Sequence, residues 1–131
     1  MKNSIQALAV LAIIFSSPIR AETPDFLLGS WAGSTMTDSG PIGVDMKLNT
    51  IKVNVKGGEF HYGEPRACRL QMAYIASDSN KHWFALSEPT GGYCDKLFGK
   101  RIVLIQGDDP SSIQYELKPD GTSETGNLQK N

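Results

Sequence analysis

Beyond residue 21 no segment sustains a 3.6-residue apolar period for a dozen residues, which excludes a helical domain and predicts an all-β chain. Cysteine is equally scarce, with two residues in 131, and neither lies in a Cys-x-x-Cys pair. That spacing excludes a thioredoxin-like redox motif. No Gly-x-Ser-x-Gly elbow, His-Glu-x-x-His pair or phosphate-cradling glycine loop occurs, so no catalytic residue is assigned and the chain is not expected to be an enzyme. His82 has no cysteine or acidic residue at metal-ligand spacing and is expected at the surface, at the start of a strand. Asp108 and Asp109 lack EF-hand spacing, and Pro110 makes them a turn. Neither a metal nor a cofactor is expected.

Basic excess is absent as well. Lys2 and Arg20 account for two of the 13 basic residues, and the remaining 11 face 14 acidic residues, a net charge near −3 from residue 22 onward. Nucleic acid is excluded as a partner, because its binders carry a basic stripe to neutralise phosphates. The one long apolar stretch is at the start. Lys2 precedes a run over residues 5–15 interrupted by Gln6, followed by Ser16, Ser17, Pro18 and Ala21. This order of charge, apolar core and small residue predicts a secretory signal peptide over residues 1–21. The run is about half the roughly 20 residues a membrane span requires, so no transmembrane anchor is expected after cleavage. The protein is therefore expected to be periplasmic or secreted, with residues 22–131 forming a single β domain.

Export makes a disulfide between Cys68 and Cys94 available, closing a 26-residue interval. Such a closure stabilises by about 3 to 3.5 kcal/mol on the chain-entropy account. It pins what reads as the organising stretch, residues 68–104. Cys68, Leu70, Met72 and Tyr74 alternate with Arg69, Gln71, Ala73 and Ile75, breakers follow over residues 77–81, and Trp83, Phe84, Ala85 and Leu86 return. Other strands are expected near Trp31, over residues 59–62, over residues 102–105, over residues 113–117 and, weakly, ending near Leu128. Residues 34–43 read as a loop. Val44, Met46 and Leu48 alternate on one phase and Ile51, Val53 and Val55 on the other, a slip near Asn49 and Thr50 that implies either a β-bulge or a turn, with one long bent strand the preferred reading. Seven or eight short strands in sequence indicate an antiparallel meander, closed as a small barrel or folded as a sandwich, with one disulfide.

Gly29-Ser30-Trp31 resembles the Gly-x-Trp that opens the first strand of calycin barrels, the lipocalin and avidin type. The resemblance implies a barrel able to carry a small apolar ligand, for which Trp31, Tyr74, Phe84 and Tyr115 would line the interior. The chain is also similar in kind to small exported single-disulfide β proteins such as bacterial lysozyme inhibitors and periplasmic immunity proteins. That likeness implies an inhibitor or immunity factor that occludes an envelope-acting hydrolase or toxin. No residue is carried over from either group.

The candidate contact residues come from the chain itself. Residues 89–100 place Tyr93 beside an anchored cysteine, with Asp95 and Lys96 following, a rigid aromatic among charges. Pinning such a loop lowers the entropy lost on association. His61 and Arg66, in a ten-residue stretch with Glu59, Tyr62 and Glu64, form a possible second patch. There Phe60 and Tyr62 are expected inside and Glu59 and His61 outside.

Overall fold

The computed structural model describes residues 24–131; the expected signal peptide lies outside these residues. Eight antiparallel strands follow one another: β1 (Gly29–Thr37), β2 (Gly40–Leu48), β3 (Lys56–Tyr62), β4 (Cys68–Asp78), β5 (Lys81–Ser87), β6 (Arg101–Gln106), β7 (Ser112–Leu117) and β8 (Glu124–Lys130). Each pairs with the next, and β8 pairs back onto β1, so the meander is a closed barrel and not a sandwich. Closure leaves no unpaired sheet edge.

Alternation does most of the sorting. In β2, Ile42, Val44, Met46 and Leu48 point in while their neighbours face water, and β3 buries Phe60 and Tyr62 while leaving Glu59 and His61 outside. An eight-stranded barrel encloses just enough room for its inward side chains. Here that room is used: Phe60, Tyr62, Leu70, Ile102, Leu104, Tyr115 and Leu128 are all 0% exposed. A void large enough for water would leave accessible surface on its lining. The seam between β1 and β8 depends on two glycines. A Cβ on Gly33 would lie 1.8 Å from the Asn127 carbonyl oxygen, and one on Gly126 would lie 2.4 Å from the Tyr115 ring.

Two expectations for β1 and β2 are corrected. Residues 34–43 are not a loop; β1 and β2 continue through them and turn tightly, Thr37 pairing with Gly40. The polar, glycine-rich composition reflects the outer face of a hairpin whose inner face needs only Thr35 and Ile42. Nor does β2 continue as a bent strand. It ends at Leu48, the chain loops, and Val53 and Val55 are left 59% and 42% exposed. The phase slip at Asn49 marks this turn, where Asn49 N–H and Thr50 N–H both donate to the Gly57 carbonyl.

Because strands alternate in direction, the β1–β2, β3–β4, β5–β6 and β7–β8 connections emerge at one end. The opposite end holds a short 3-10 turn (Asp25–Leu27), the β4–β5 hairpin and the C-terminus. Trp31 closes that end from inside, its indole N–H donating to the Leu27 carbonyl at 2.9 Å.

Candidate functional site

The disulfide shapes the first end of the barrel. Cys68 starts β4, and Cys94 sits in a 3-10 turn (Gly92–Leu97) within the β5–β6 connection; their Cα atoms are 6.0 Å apart. The bond thus staples a rim turn to the wall. Leu97, buried at 0%, anchors the turn a second time, while Asp95 and Lys96 stay exposed. Tyr93 is left leaning over the barrel mouth, edge-on to Tyr62 with ring centroids 5.4 Å apart.

Beneath Tyr93 lies a carboxylate that sequence reasoning missed. Glu124, the first residue of β8, has a side chain 9% exposed. Its Oε1 accepts from Arg66 Nη1 at 2.9 Å and from the Tyr93 hydroxyl at 3.1 Å. Its Oε2 accepts from the Tyr62 hydroxyl at 2.6 Å and the Tyr115 hydroxyl at 2.8 Å. Four donors fill the acceptor sites of one carboxylate. The arrangement joins β3, the β3–β4 loop, the rim turn, β7 and β8 through a single side chain.

The electrostatics follow from this burial. Desolvation, reinforced by the Glu124 charge, pushes the Tyr93 phenol up to about 12 and raises Tyr62 and Tyr115 further. All three therefore stay protonated donors at neutral pH. Burial opposes the charge on Arg66, but its bond to Glu124 and that carboxylate's charge outweigh this and hold the guanidinium above its ordinary value. The guanidinium also stacks 3.6 Å from the Tyr93 ring centroid, and Lys96 Nζ lies 4.6 Å from the same centroid. Two cations over one ring hold it through its negative π face. A groove of about 590 Å³ opens beside it, lined by Met36, Asp38, Arg66, Tyr93, Lys96 and Asp120 among others. Met36, on its margin, is 72% exposed.

The structure thus brings Tyr93, Lys96 and Arg66 together and leaves Asp95 on the outside of the same turn. His61 is not part of this group. It lies on the outer wall of β3, with Nδ1 3.5 Å from Asp45 Oδ2, next to the Arg69–Glu59 pair. The expected second patch of His61 and Arg66 does not form, because alternation sends His61 outward while the β3–β4 loop folds Arg66 over the mouth. Trp31, Tyr74, Phe84 and Tyr115 are core side chains, between 0% and 8% exposed.

His82 is a correction. Instead of lying at the surface it points inward, 4% exposed, with Nδ1 2.7 Å from Ser77 Oγ, which in turn is 2.6 Å from the Tyr74 hydroxyl. Phe26 meets the imidazole edge-on at 5.8 Å. The period of β5 could have shown this, since His82 shares the phase of Phe84 and Leu86. Glu124 carried no comparable signal: a glutamate among Thr122, Ser123 and Thr125 reads as a solvated turn, and its donors come from residues 62 to 115.

Among the described residues no group of three His, Cys, Asp or Glu side chains is placed to hold a metal ion, and no helix is long and apolar enough to cross a membrane. No protein-family model matches the chain, and no curated protein matches it. It is similar in fold to a solved de novo designed fluorescence-activating β-barrel, with a TM-score of 0.55 and 12% identity over 86% of this chain and 100% of that one. At that identity the likeness establishes the fold: an eight-stranded antiparallel β-barrel.

Proposed function

We propose that this is an exported binding protein, without chemistry of its own, that recognises another protein through the disulfide-stapled end of the barrel. Its role in this reading is that of an inhibitor or immunity factor that occludes the cleft of an envelope-acting hydrolase or toxin. The observation that carries the reading is the rim: Tyr93, fixed by the neighbouring Cys94, stacked on Arg66 and flanked by Lys96, over a mouth sealed by Glu124. A pre-ordered aromatic flanked by cations is the kind of side chain that dominates protein interfaces, and its rigidity limits the entropy lost on binding. The disulfide and the expected signal peptide both favour export.

Calycin ancestry is the companion proposal. Gly29 and Trp31 stand at the start of β1, the place that Gly-x-Trp takes in that family, and here Trp31 closes one barrel end. A carrier role through the interior is the second reading. The filled interior makes it the weaker one, since a ligand of ordinary size needs a cavity of roughly 300 Å³ or more. The de novo barrel of similar fold is fluorescence-activating; the present interior is filled by its own side chains.

An affinity capture from periplasmic extract, supplemented with purified lysozymes and envelope hydrolases, separates the two. A stoichiometric protein partner retained by the oxidised protein and lost after reduction supports the rim. Co-purification of a small apolar compound without a protein would replace the rim with the interior.

A further inference from the structure

Trp83 is on the outside of the barrel. In β5, His82, Phe84 and Leu86 take the inward phase, leaving Trp83 and Ala85 half-buried on the outer wall. Strand register sets Trp83 opposite Val103, Val103 opposite Glu116, and Ala85 opposite Arg101. A cleft of about 470 Å³ opens over this register, lined by Trp83, Val103 and Leu117, with Lys100, Arg101 and Lys118 at its edge. Phe98, next to the Gly99 that also borders the cleft, is 63% exposed.

The charges here are unbalanced. Lys100, Arg101 and Lys118 make no ion pair with any of the described residues. Glu116, the one carboxylate in the lining, accepts from Ser123 Oγ at 3.2 Å. The wall formed by β2, β3 and β4 is different: there Asp45 faces His61 and Glu59 faces Arg69. A half-buried indole on the outer wall, bordering the same cleft as unpaired cations, serves neither the core nor the surface charge balance of the barrel.

We infer that this cleft binds a small anion with an apolar body, such as an aromatic or medium-chain carboxylate or sulfonate. The apolar body lies on Trp83 and Val103, and the acid group meets Lys100 and Arg101, whose guanidinium can take two acid oxygens at once. The volume lies within the range of small-molecule sites, about 300 to 1,000 Å³. A second copy of the chain is a poor occupant, because a two-fold contact here brings like charges together. The site is separate from the rim and does not depend on its role.

The probe is 1-anilinonaphthalene-8-sulfonate, titrated into the disulfide-intact protein with excitation of tryptophan and emission read from the dye. Saturable binding with energy transfer is expected, reversed by decanoate and not by decanol. Lys100→Glu with Arg101→Glu, both exposed positions, weakens it by about tenfold or more, as expected for loss of charge-assisted bonds. Lys96→Glu at the rim, with the same kind of charge change, leaves it unaltered. Far-UV circular dichroism establishes that each variant is folded. The inference is overturned by non-saturable binding, by equal displacement with decanol, by wild-type affinity in the Lys100/Arg101 variant, or by an equal loss in the Lys96 variant.

Discussion

Glu124 holds four donors from four separate segments of the chain, so its removal strands one half-buried guanidinium and three phenols at once. Breaking a buried pair by deleting one partner costs about 3 to 5 kcal/mol. Glu124→Ala is therefore expected to lower the urea-unfolding free energy by about that amount. Tyr93→Phe, which loses one bond to a charged acceptor and keeps the stack on Arg66, should lose about 1.5 to 3 kcal/mol or less. Equal losses in the two variants would mean that Glu124 acts through Tyr93 alone. At the other end, His82 makes stability depend on pH. Burial holds its pKa below the ordinary 6.5, with the nearby Gln106 opposing this in part, and Nε2 has no hydrogen-bond partner among the described residues. The unfolded chain thus takes up the proton first. This contribution is fully present above about pH 6.5 and is lost as the pH falls toward the folded pKa. Thermal melts from pH 7.5 to 5 should show that loss in the wild type and a smaller one in His82→Gln.

The rim turn owes its position to one covalent bond and one buried leucine. Replacing Cys68 and Cys94 together by serine should lower stability by about 3 kcal/mol on the chain-entropy account. The same change should speed amide exchange selectively over residues 92–97 while leaving β2 and β3 protected. Uniform loss of protection would mean that the disulfide supports the whole barrel and not the turn. At this scale, much was legible in the chain. The alternation in residues 68–75 and 113–117 fixes inward and outward faces without help from the fold, and both segments are strands. The phase slip at Asn49 was visible too, but a turn and a bulge leave the same trace in a period-two pattern. Residues 34–43 failed for another reason: the outer face of a closed barrel tolerates glycine and proline, so composition there says nothing about pairing. Tyr93 and Lys96 could be picked out beside the anchored Cys94, and Arg66 from the cluster of polar side chains around His61. That Arg66 and Tyr93 both bond Glu124, with Lys96 over the Tyr93 ring, depends on closure of β8 against β1, a contact between residues almost a hundred positions apart.

As a whole, the molecule is a filled cylinder whose closure rests on glycines at the seam and whose proposed recognition surface is the stapled end. Gly126→Ala tests the closure. A Cβ there would meet the Tyr115 ring at 2.4 Å and the Ser34 carbonyl oxygen at 2.7 Å, so the ring that donates to Glu124 must move. Overpacking of this kind costs about 1 to 3 kcal/mol, which chemical denaturation would register. The inward side chains of the described strands are almost wholly buried, and the proposed function is accordingly placed on the outside, chiefly at the rim. The most direct measurement is an inhibition titration of the hydrolase captured by the oxidised protein, comparing wild type with Tyr93→Ala/Lys96→Ala. Stoichiometric inhibition that weakens by about a hundredfold in the double variant is expected, since two central contacts together contribute about 3 kcal/mol. Undiminished inhibition by a folded double variant would contradict recognition through the stapled rim.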